Sequence, residues 1–170
     1  FSCQRIKYDT ILRQVTIYDG TGKPAFTGDI AINRDTIAAV GDLSRFDAAH
    51  FIDGNGLAVA PGFIDTHSHH DRMLLDAPGA LAVVSQGVTT IVVGQDGSSH
   101  FPLKKYIELL ADSPVAVNVA SYSGHNTIRE LVMGNEFKRS ATPGEIEKMK
   151  TMLRQDLEAG ALGLSTGLEY

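Results

Sequence analysis

The sequence predicts an α/β protein, four strand–helix units preceded by a small antiparallel β module. Three observations carry that prediction. Residues 5–56 alternate short β-like runs with turn pairs, whereas from residue 57 each apolar run is followed by a stretch with helical spacing. Gly and Pro punctuate the second part where helices would start and stop. Polar residues of metal-ligating and hydroxyl type gather just after the apolar runs.

In the first module, Tyr8–Leu12 and Val15–Tyr18 precede Asp19-Gly20, a strong turn pair. Asp29–Asn33, a turn at Arg34-Asp35 and Thr36–Val40 read as a hairpin with alternating faces. His50–Asp53 is a further short strand before Gly54-Asn55-Gly56. No cluster of ligand-type residues falls here, so residues 1–56 read as a structural cap, a small module of β-sandwich type.

From residue 57 to 170 the pattern is strand, then helix. The apolar run from Leu57 leads into Asp65-Thr66-His67-Ser68-His69. Asp76 and Pro78 open a helix that closes at Gly87, and Val88–Val93 is a β-branched run of the kind covered on both faces. Pro102–Ala111 reads as helix, Pro114–Ala120 as the third strand and Ile128–Met133 as helix, with Asn126 or Thr127 as its cap. Thr142-Pro143-Gly144-Glu145 is a capping box with proline at the first helical position. The helix behind it places Ile146, Met149, Leu153 and Leu157 on one face, expected to be buried. It stops at Gly160, where Ala161–Ser165 begins a fourth strand.

This alternation implies right-handed parallel crossovers, which gather ligand-binding loops at the carboxyl ends of the strands. His67, His69, Asp96, His125 and Thr166 all fall at such ends. His67 and His69 are two residues apart, so on a strand they share a face with Cα atoms about 6.6 Å apart, at roughly 3.3 Å per residue. Two imidazoles at that spacing can converge on one metal ion. Asp65 is in phase with them and can orient an imidazole or add an oxygen ligand. Asp96, in Gly94-Gln95-Asp96-Gly97, is either a ligand or an ordinary turn residue, with His100 as a substitute. His125 either hydrogen-bonds a substrate carbonyl or carboxylate, or is a solvated neighbour of a helix cap. Ser165, Thr166 and Tyr170 are weaker candidates for a substrate pocket.

Composition limits the alternatives. Of 170 residues, 43% are apolar and 21% charged, as in an ordinary globular protein. Twenty acidic against fifteen basic residues argues against a nucleic-acid partner, which calls for a clustered basic face. The single cysteine, Cys3, excludes an internal disulfide, and no apolar run reaches the ~20 residues of a membrane-spanning helix. Phe1-Ser2-Cys3-Gln4 resembles the cleavage region of a bacterial lipoprotein; the alternative is an incidental cysteine. The first would anchor the protein to a membrane facing the periplasm, the second leaves the cytoplasm open.

Several segments also carry a family resemblance. Ala60-Pro-Gly-Phe-Ile-Asp-Thr-His-Ser-His69 resembles the first barrel strand of the amidohydrolase superfamily, metal-dependent hydrolases built on a (β/α)8 barrel. Tyr8–Arg13, Asp19–Gly22, Gly87–Gly94, Val117–Tyr122, Gly124-His125 and Gly160–Tyr170 are similar to the D-aminoacylase branch, which removes the acyl group from N-acyl-D-amino acids. The resemblance runs through nearly the whole chain. It implies the first half of a (β/α)8 barrel behind the β module, since a complete barrel usually needs about 250 residues. It implies a divalent cofactor, zinc first, as one or two ions that polarise an amide carbonyl and activate water. It also implies a small N-acyl amino acid as substrate, and either the remainder of the chain or another copy to complete the barrel. Where the branch carries Gly-Asn-Cys-Gly after the second strand, with a thiolate bridging two metal positions, this sequence carries Gly94-Gln95-Asp96-Gly97. The fourth strand region, Ala161–Tyr170, has no lysine, unlike branches that use a carbamylated lysine there. The resemblance places a proton-shuttling aspartate and two further histidines beyond Tyr170. Other readings are a cyclic-amide or dipeptide amidohydrolase, or a metal-poor relative that only binds.

Overall fold

A computed structural model describes residues 8–167, which fall into two compact units that meet between Pro61 and Gly62. Cys3 and Tyr170 lie outside the described residues. Among the described residues no helix is long and apolar enough to cross a membrane.

The first unit is one five-stranded sheet. Its strands are β1 (Tyr8–Ile17), β2 (Phe26–Asn33), β3 (Thr36–Gly41), β4 (Ala48–Asp53) and β5 (Ala58–Val59). The order is β3-β2-β1-β4, with β5 also on β1. β1–β2 and β2–β3 are antiparallel, as the turn pairs predict. β4 and β5 run parallel to β1, so the module is mixed rather than antiparallel throughout. The reason is the loop of residues 42–47, which carries the chain across to the far edge of β1 before β4 begins. Arg13 reaches back to Asp29 at 2.9 Å, and Asp29 also accepts from the Gln14 and Leu43 N–H groups. Tyr8, Ile11, Ala31, Leu43 and Ala48 form one apolar cluster of this sheet.

The expected boundary at residue 57 lies too early, because Leu57–Val59 still belong to this sheet. Thr16 N–H donates to Leu57 O and Tyr18 N–H to Val59 O, both at 2.9 Å. Proline cannot donate to a ladder, and Pro61-Gly62 ends the pairing.

The second unit contains β6 (Phe63–Asp65), a one-turn α1 (Leu81–Val84), β7 (Val88–Val93), α2 (Leu103–Asp112), β8 (Asn118–Ser121), β9 (Ser123–Gly124), α3 (His125–Met133), α4 (Pro143–Glu158) and β10 (Leu164–Ser165). Every strand pair in it is parallel: β6–β7, β7–β8 and β9–β10. Only Tyr122 separates β8 from β9. Its N–H donates to Val93 O and the next N–H, that of Ser123, to Gly163 O, so the chain changes neighbour within two residues. Ile91, Val93, Leu103, Tyr106 and Val117 lie in the core between the strands and α2.

Two helices differ from expectation. The stretch from Asp76 yields only the short α1, because Ala80 sits at φ 42°, a left-handed conformation that interrupts a helix. α4 has the predicted capping box, with Thr142 Oγ1 accepting from Glu145 N–H and Glu145 accepting from Thr142 N–H. Arg139 beside Glu145, with those Thr142 bonds, pulls the carboxyl down to about 2. The apolar face of α4 is not buried, however. Ile146 and Leu157 are exposed, and its one buried residue is Asp156.

Candidate metal centre

His67 and His69 lie just past the end of β6, not within it. The alternation of faces nevertheless continues: Ser68 between them is buried, and both imidazoles project to the exposed side. Two contacts fix this segment against the end of β7. Ser68 N–H donates to Val92 O at 2.9 Å, and the buried Gln95 side chain donates to Thr66 O at 3.0 Å. Asp65 acts on the main chain, accepting from His67 N–H at 3.2 Å.

Asp96 is the third member. It sits in the loop after β7 at φ 55°, between Gly94 at φ 74° and Gly97 at φ 82°. Glycine is required at the first of these: a Cβ on Gly94 would lie 2.3 Å from Tyr122 O. The left-handed turn carries the Asp96 carboxylate over to the two imidazoles. His67 Nε2 and His69 Nε2 lie 3.3 and 3.1 Å from Asp96 Oδ2. The three donor atoms all lie within 4.8 Å of one another.

Those distances test whether a metal fits. A tetrahedral ion with bonds of about 2.0–2.1 Å separates neighbouring ligand atoms by about 3.3 Å. The two nitrogen–oxygen separations match that edge. Two imidazole nitrogens and one carboxylate oxygen form a donor set that zinc accepts readily. With each proton on Nδ1, both Nε2 lone pairs are free for a metal ion; with Nε2–H, the same atoms hydrogen-bond Asp96.

Beside this cluster is a cavity of about 470 Å³ lined by His69, Arg72, Gln95, Asp96 and Ser98. Arg72 has no ion-pair partner among the described residues.

His100 does not join the ligand group. It lies 3.5 Å from Asp71 and stacks on Tyr106 with ring centroids 4.1 Å apart. Burial, with the Asp71 charge adding to it, pushes the Tyr106 phenol up to about 12. Neither Asn126 nor Thr127 caps α3, which begins at His125 itself. The Asn126 side chain instead donates to Gly167 O, and Thr127 Oγ1 accepts from Ser99 N–H. His125 Nδ1 is buried without a hydrogen-bond partner. Thr166 is exposed in the residue after β10. Sequence reasoning passed over Gln95 and Ser99 and read Ser165 only as a weaker substrate-pocket candidate, whereas all three side chains hold loops. Nothing in their spacing announces it, because their partners are distant in sequence.

No family model matches the chain. It is 40% identical over 185 residues to an N-acyl-D-aspartate deacylase of Alcaligenes xylosoxydans xylosoxydans, covering 95% of this chain and 37% of that protein. Among solved structures it is similar to the N-acyl-D-glutamate deacylase of Bordetella bronchiseptica, complexed with zinc and a phosphonate mimic of the tetrahedral intermediate. That likeness has a TM-score of 0.90 and 35% identity, covering 96% of this chain and 39% of that one. A D-aminoacylase that defines a subset of the amidohydrolases gives a TM-score of 0.88 at 38% identity, with the same 96% and 39% coverage. The chain thus spans under two-fifths of the length of these relatives. By fold and sequence the chain is an α/β unit of the amidohydrolase kind, with a His67, His69 and Asp96 group that could hold a metal ion. More particularly, the chain is a homologue of the N-terminal part of the N-acyl-D-amino-acid deacylases, the D-aminoacylase branch.

Proposed function

We propose that the protein is a metal-dependent hydrolase of linear amides, an N-acyl-D-amino-acid deacylase. In this reading, the chain from Gly62 on supplies the first half of its (β/α)8 barrel and follows in sequence the β module that ends at Pro61. The observation that carries it is the grouping of His67, His69 and Asp96, whose donor atoms lie within 4.8 Å of one another with both imidazole nitrogens 3.1–3.3 Å from Asp96 Oδ2. These three residues would hold a divalent ion, zinc first, which when bound polarises an amide carbonyl and activates water at neutral pH. One carboxylate against two neutral imidazoles leaves the ion positive, which favours that role. Ser68, Gln95 and Asp65 keep the two imidazoles in place through the main chain. The proton-shuttling aspartate is expected beyond Tyr170.

On the substrate side the candidates are His125, Thr166 and Tyr170. His125 is supported by its unpartnered Nδ1 at the first turn of α3, where Thr127 N–H donates to Gly97 O of the Asp96 loop.

The test is metal analysis of the complete protein beside a panel of N-acyl-D- and N-acyl-L-amino acids. The parent should hold divalent metal and hydrolyse the D series. A folded His67→Ala, His69→Ala double variant should lose both properties. Unchanged metal content in that variant would sink the assignment, and hydrolysis of cyclic amides or dipeptides in place of the D series would move the protein to another amidohydrolase branch.

A further inference from the structure

The loop Gly94–Gly97 holds three of its four residues at positive φ, one of them Asp96. An aspartate tolerates that conformation better than most residues but does not favour it, so contacts from elsewhere help to hold it there. The side chain that reaches both ends of this tetrapeptide is distant in sequence. Ser165, the last residue of β10, donates from Oγ to Gly94 O at 2.6 Å. The same Oγ accepts from Gly97 N–H at 3.1 Å. One hydroxyl therefore spans the turn, using its donor and one acceptor position.

We propose that Ser165 is a positioning residue for the metal centre: its hydroxyl holds the Asp96 carboxylate where it can share an ion with His67 and His69. The inference rests on the metal reading of that cluster. It also explains why the fourth strand, which contributes no ligand among the described residues, matters to the site. The rest of the loop is held independently. Thr127 N–H donates to Gly97 O, Ser99 N–H to Thr127 Oγ1 and Gly124 N–H to Ser99 Oγ. Removing the Ser165 hydroxyl therefore frees the turn locally and leaves the loop attached to α3 and β9.

Cobalt(II) is the probe, added to the metal-stripped complete protein and followed by its visible absorption and by calorimetry. Ser165→Ala should bind cobalt about 10–100-fold more weakly, the usual effect of removing a partner that orients a ligand. At saturating cobalt its absorption bands should shift, because the carboxylate approaches differently. Ser165→Thr and Ser165→Val have one shape and differ in the hydroxyl. The threonine variant should restore affinity and spectrum, and the valine variant should not. Parent-like affinity and spectrum in the alanine and valine variants would overturn the proposal and leave the metal reading standing. If the alanine and valine variants fail to fold while threonine folds, Ser165 is structural and the proposal falls. A parent that binds no cobalt would instead bring down the metal reading itself.

Discussion

At the scale of single residues, Asp96 bears the tightest set of demands, because its main chain and side chain are constrained together. An L-residue in the left-handed region costs about 1–2 kcal/mol, less for aspartate, whose carboxylate can bond locally. Asp96→Ala should therefore weaken metal binding by at least roughly 100-fold, more than loss of an orienting partner does. The metal-free Asp96→Gly protein should be about 1 kcal/mol more stable than metal-free Asp96→Ala, because glycine accepts φ 55° freely. Asp96→Cys should keep metal, since a thiolate can occupy the same position. Metal titration and denaturant unfolding of the three variants check this. If Asp96→Ala titrates like the parent, Asp96 is a turn residue. The sequence made His67 and His69 legible because a period of two is a local property, and the period outlives β6 by four residues. Convergence of Asp96 was only half legible: its place after β7 could be read, but the left-handed turn that aims it could not.

At the scale of elements, α4 shows which local signals carry and which mislead. Its start is written in Thr142-Pro143-Gly144-Glu145 and is found there. Its apolar spacing suggested a buried face, yet the buried residue is Asp156, whose partners are distant in sequence. Asp156 Oδ1 accepts from Leu103 N–H, the first of α2, at 2.9 Å, and Oδ2 accepts from Ser123 Oγ at 2.7 Å. The carboxylate thus satisfies an N-terminal donor of α2, where the helix dipole favours negative charge, and ties it to β9. No periodicity argument could find it, because a charged residue on an apolar face reads as an interruption. Asp156→Ala leaves a buried N–H and a buried hydroxyl without an acceptor, at about 1–3 kcal/mol each. The expected loss is about 3 kcal/mol in urea unfolding, with Asp156→Asn between the two because it retains one acceptor oxygen. A change within experimental error for Asp156→Ala would mean that water replaces both bonds.

At the scale of the whole molecule, the strand–helix alternation was legible, and it supplies the parallel run β6, β7, β8 with β9, and β10. The outermost strands of that run each have a neighbour on one side only among the described residues. Their other edges present free N–H and C=O groups, which template pairing with another chain. Apolar side chains accompany them: Phe63 and Ile64 on β6 are 66% and 62% exposed, and Leu162 and Leu164 at β10 are 56% and 44% exposed. Large apolar groups beside an open strand edge favour association in water. Residues 1–170 expressed by themselves should therefore associate, and in the proposed reading, which places the proton-shuttling aspartate beyond Tyr170, they should hydrolyse nothing. Light scattering of the purified 170-residue chain should show species larger than a monomer. Assays with N-acyl-D-amino acids and added zinc should give no turnover above zinc alone. A monodisperse, active monomer would show that the outer strands need no cover and that the open edges at β6 and β10 are tolerated in water.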